Sequence, residues 1–82
     1  MYKIIIIAEP QKQIVINVVD LDKKTTISRV NTFQPQLMDY IDSLMSLYDI
    51  DQIGVCGPKV YTAKIISDIT KQFPQVEVEE IN

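Results

Sequence analysis

Apolar and polar positions alternate along this chain with two different periods, and the switches between them mark its elements. Tyr2 to Ala8 (YKIIIIA) is a nearly continuous apolar run closed by Glu9-Pro10-Gln11-Lys12, the pattern of a central strand covered on both faces. Gln13 to Val19 (QIVINVV) is a second β-branched run, close enough behind the first to form a hairpin with it. Asp20-Leu21-Asp22-Lys23-Lys24 is a polar turn. Thr25 to Val30 (TTISRV) follows as a more polar third strand, which suits a sheet edge. From Pro35 to about Tyr48 the period changes to three and four residues, with Leu37, Ile41, Leu44 and Tyr48 as an inner stripe and Asp39, Asp42 and Ser43 opposite. Proline is favoured in the first turn of a helix, where its missing N–H costs nothing. Met and Tyr residues beside that stripe read as core filler.

A strand opening at Gln52, with the short apolar run Ile53, Gly54, Val55 and Cys56, then stops at Gly57-Pro58. A second amphipathic pattern runs from Pro58 to about Gln72, with Thr62, Ile65, Ile66, Ile69 and Phe73 inward, and Phe73-Pro74 ends it. The last run, Gln75 to Ile81, sets Val76 and Val78 against Glu77 and Glu79, an edge strand guarded by charge.

The predicted order is βββαβαβ. An antiparallel meander followed by two right-handed crossovers gives a single α/β domain over residues 1–82, with a five-stranded mixed sheet in the order 3-2-1-4-5. Both crossovers run the same way between parallel strands, so both helices fall on one sheet face. Yet the first two strands are apolar on both faces: Ile4, Ile6, Ala8, Ile14, Ile16 and Val18 on one, Ile5, Ile7, Val15 and Val19 on the other. One set lacks intrachain cover, and pattern alone does not say which. Such a face marks an interface, so a homo-oligomer (most simply a dimer) or one protein partner is expected. The candidate interface residues are Ile5, Ile7, Val15 and Val19.

Composition narrows the chemistry. The net charge is −3, and the eight basic residues are scattered, which disfavours nucleic-acid binding. Histidine is absent and Cys56 is the only cysteine, so neither a zinc site nor an internal disulfide is expected, and no cofactor is implied. Cys56 in an apolar strand reads as a small buried hydrophobe in a reducing, cytoplasmic setting. The apolar part of MYKIIIIAEP is too short for a signal peptide or a membrane span.

The candidate ligand site is the turn QIGVCGPKVYT. Gly57 lets the backbone approach a ligand, the following helix start offers unpaired N–H groups, and Lys59, Tyr61 and Thr62 add a charge and hydroxyls. Pro58 completes the turn, and Glu9 would lie beside it if the first and fourth strands are parallel neighbours. A small anion or nucleotide is the ligand class. Gly-Pro at a helix start is also explained by capping and fixed φ alone, and phosphate loops carry more glycine than this one.

The element order resembles the ribonuclease H-like fold, over nearly the whole chain but without its C-terminal helix. That resemblance implies a two-metal nuclease, which needs converging acids to hold the attacking and leaving oxygens. The sequence departs from this pattern: Ile4 to Ala8 contains no aspartate, the fourth strand ends in Val55-Cys56-Gly57, and only Asp39 and Asp42 on the first helix remain. Gly57, Pro58, Tyr61 and Thr62 are also similar in spacing to a strand-to-helix turn of actin-like relatives of that fold.

Three function classes follow. The leading expectation is a small non-catalytic interaction or assembly module, of the kind common among accessory proteins of viruses and mobile elements. The alternatives are an anion or nucleotide binder at Gly57 to Thr62 and a degenerate nuclease.

Overall fold

A computed structural model describes residues 1–9 and 13–81. The turn expected at residues 10–12 lies outside the described residues. The elements are β1 (Tyr2–Ala8), β2 (Gln13–Asp20), β3 (Thr25–Phe33), α1 (Gln34–Leu47), β4 (Ile50–Cys56), α2 (Lys59–Gln72) and β5 (Glu77–Ile81). The sheet order is β3-β2-β1-β4-β5. β1 and β2, and β2 and β3, are antiparallel, while β4 runs parallel to β1 and to β5. The fold is therefore α/β with a five-stranded mixed sheet and two helices, as the period changes predict.

Both helices pack on one face. α1 lies over β2 and β3, and α2 over β4 and β5. Leu37, Ile41 and Leu44 of α1 and Ile65 and Ile69 of α2 meet Ile4, Ile6, Ile14, Ile16, Val18, Ile53 and Val55 in one core. The helices thus settle the ambiguity of the two apolar strands. They cover the Ile4 set and leave the Ile5 set on the far side.

Several boundaries move for local reasons. β3 continues three residues past Val30, because Thr32 turns inward beside Ile14 and is 8% exposed. It enters α1 directly, with Phe33 in extended conformation as the N-cap and Pro35 in the first turn. β4 starts at Ile50, which is buried, rather than at Gln52. Pro58 is the N-cap of α2 rather than its first residue. Tyr48 lies just past α1, where its ring meets that of Tyr2 at 5.1 Å between centroids. Met38, Met45 and Ile66 pack against the core as half-buried filler.

The β2–β3 turn is held by Asp20. Its carboxylate accepts the backbone N–H groups of Asp22, at 3.0 Å, and Lys23, at 3.2 Å, and Lys24 takes the left-handed conformation with φ 56°. Among the described residues, no helix is long and apolar enough to cross a membrane.

Candidate functional site

The parallel pairing of β1 with β4 brings the two strand ends together, with Ile7 opposite Cys56. Gly57 follows with φ 136°, a conformation that side chains other than glycine's rarely adopt. A Cβ built on Gly57 would overlap the carbonyl oxygen of Ala8. Glycine is thus required here by the close approach of β1, independently of any ligand.

The turn divides into an inner and an outer part. Thr62 is fully buried, and its hydroxyl donates to the Lys59 carbonyl at 3.5 Å. The N–H groups of Tyr61 and Thr62 both donate to the Pro58 carbonyl, at 2.9 and 3.1 Å. Tyr61 is half-buried against the core. Glu9, Gly57, Pro58 and Lys59 are exposed. Glu9 follows Ala8 at the same end of the sheet and donates its N–H to the Gln13 carbonyl at 3.0 Å. Of the six residues singled out at this turn, four are open to solvent and two serve packing.

Asp39 and Asp42 lie on the solvent face of α1, where their backbone carbonyls accept the hydroxyls of Ser43 and Ser46. A shallow groove lined by Thr32, Gln36, Asp39, Tyr40 and Ser43 passes beside them. Another gathers Asp49, Asp51 and Glu77 near the start of β4. Among the described residues, no three His, Cys, Asp or Glu side chains converge closely enough to hold a metal ion.

The helix-free face of the sheet is the second candidate. Strand register arranges it in transverse rows. One row reads Asn31, Val15, Ile7, Cys56, Ile81; the next reads Arg29, Asn17, Ile5, Gly54, Glu79; the third includes Val19, Lys3, Gln52 and Glu77. Ile5, Ile7, Val19, Cys56 and Ile81 are half-buried. Val15 is 5% exposed yet stands outside the main core, between Ile7 and Asn31. Phe33, 54% exposed, extends the same face at the end of β3. Ile27, 42% exposed, is left out of the β2–β3 pairing at the bulge between Val18 and Val19. Sequence pattern misses Phe33, because it sits in a stretch of loop-like composition.

At the centre of this face Gly54 leaves a gap that neighbouring side chains fill. A Cβ there would overlap the Ile81 side chain and come within 3.3 Å of the Lys3 side chain. Across that gap the Lys3 ammonium donates to the Glu79 carboxylate at 2.7 Å.

No known protein family matches the chain, and no curated protein matches it. Among solved structures it is similar to Pelota of Archaeoglobus fulgidus, at 11% identity and a TM-score of 0.65. The likeness covers 99% of this chain and 26% of that one, and at such identity it concerns the fold alone.

Proposed function

We propose that this chain is a small, non-catalytic assembly module of the ribonuclease H-like type, working as a homo-oligomer through its helix-free sheet face. The observation that carries this reading is the chemistry of that face. Ile5, Ile7, Val19 and Ile81 lie half-open on it, Phe33 stands exposed at its margin, and no described element covers it. Contiguous apolar surface of this kind is disfavoured in water and marks contact with another macromolecule.

Sedimentation and light scattering over a wide concentration range test the reading. A dimer is expected, and Ile7→Asp should dissociate it while leaving the far-ultraviolet circular dichroism unchanged. Cys56, beside Ile7 on the same face, supplies a native reporter. Its maleimide labelling should be slow in the wild type at high concentration and faster in Ile7→Asp. A wild-type chain that stays monomeric at high concentration rejects the proposal.

A further inference from the structure

The charge pattern of the helix-free face specifies how a second copy would sit on it, given the self-association proposed above. The row through Ile5 crosses all five strands: Arg29 on β3, Asn17 on β2, Ile5 on β1, Gly54 on β4 and Glu79 on β5. It carries a cation at one end and an anion at the other. Four strand spacings of about 4.8 Å separate those ends by ~19 Å. That exceeds the ~8 Å screening length at physiological salt, so the two charges scarcely interact within one chain.

Two sheets stacked face to face can be related by a two-fold axis along the strands or by one across them. An axis across the strands places β3 over β3 and, when it passes over the Ile5 row, sets Arg29 against Arg29 and Glu79 against Glu79. An axis along the strands, passing over β1, places β3 of one copy over β5 of the other. Ile5 and Ile7 then meet their own counterparts at the centre, and each Arg29 faces a Glu79. We infer that this chain pairs with a second copy about a two-fold axis parallel to its strands, with Arg29 of each copy bound to the partner's Glu79.

The local geometry suits that arrangement. Packed sheets lie ~10 Å apart, a gap that an arginine and a glutamate reaching from opposite sides can span. The usual rotation of about 30° between aligned sheets shifts the outer strands by only ~5 Å at this distance from the axis. Arg29 is exposed, and the Glu79 side chain is 51% exposed. Glu79 already accepts from Lys3, but a carboxylate has sites for a second donor. Lys3 itself stands on the central strand, where the axis would bring it towards its own copy. The bare Gly54 lets its stem cross to Glu79, so its charge is drawn away from the axis and neutralised.

Charge reversal tests the pairing. In Arg29→Glu every cross-interface pair becomes Glu with Glu, and in Glu79→Arg every pair becomes Arg with Arg. Each variant alone should lose dimer affinity by about tenfold or more at low salt, because like charges would be juxtaposed. An equimolar mixture of the two should re-associate. In a mixed dimer the glutamate introduced in one chain faces the arginine introduced in the other, and the remaining Arg29 faces the remaining Glu79. Circular dichroism confirms that each variant is folded. Single variants that dimerise like the wild type would overturn this orientation and leave the face itself standing as the interface. Singles that dissociate without rescue on mixing would also overturn it. A monomeric wild type instead removes the underlying self-association.

Discussion

Gly54 and Gly57 lie three residues apart and answer to different constraints. Gly57 needs a positive φ and presses on backbone, the Ala8 carbonyl, which cannot retreat without breaking the β1–β4 register. Gly54 has an ordinary strand conformation and presses on side chains, chiefly the end of Ile81 in the last strand. Gly57→Ala should therefore cost about 2 kcal/mol or more, combining backbone strain with a clash that has no soft partner. Gly54→Ala should stay within about 1 kcal/mol, because alanine is the better strand residue and Ile81 can rotate away. Urea unfolding of the two variants checks the contrast, and equal losses would show that Ile81 is held as firmly as backbone. The Gly-Pro signal in the sequence located this turn correctly. The cause of the glycine was hidden there, because Ala8 is distant in sequence and only sheet pairing brings it close.

At the scale of elements, strand-then-helix periodicity carried most of the information. The five strands, two helices and sheet order all follow from it, since short connections and right-handed crossovers leave few topologies. Boundaries failed where an edge strand uses polar residues: Asn31-Thr32-Phe33 has loop-like composition, yet Thr32 packs inward and the strand runs on. The result is an unusual start for α1. Phe33 is its N-cap and offers no side-chain hydrogen bond, where Ser, Thr, Asp or Asn would be preferred. Phe33→Ala and Phe33→Asp both remove the ring, but only aspartate can accept an N–H from the first turn. Asp should thus exceed Ala in stability by about 1 kcal/mol, measured by urea unfolding in an Ile7→Asp background that keeps the chain monomeric. Both substitutions should weaken self-association in the otherwise wild-type chain, because Phe33 stands exposed on the helix-free face. An Asp variant no more stable than the Ala variant would mean that the strand-to-helix junction cannot present a cap.

For the whole molecule, the decisive fact is that two layers of structure enclose one core and that no described element covers the second apolar face. The sequence revealed that both faces of β1 and β2 are apolar, but their alternation is symmetric and could not say which set the helices take. The inward stripes of α1 and α2 decide this in space by meeting Ile4, Ile6, Ile14 and Ile16. A chain of 82 residues buries a limited share of its surface by itself, so cover for the second face should appear directly in stability. If folding and dimerisation are coupled, unfolding one dimer releases two chains, and each tenfold rise in concentration adds about 1.4 kcal/mol per dimer. With an unfolding entropy near 2.1 cal/mol/K per residue, that raises Tm by about 4 °C per tenfold concentration. Ile7→Asp should unfold at a lower Tm that does not change with concentration, because its transition involves one chain. Differential scanning calorimetry over two decades of concentration separates these cases. A wild-type Tm independent of concentration across a range in which light scattering sees dimers would show that the domain folds without help from its partner, and that the bare face serves association rather than stability.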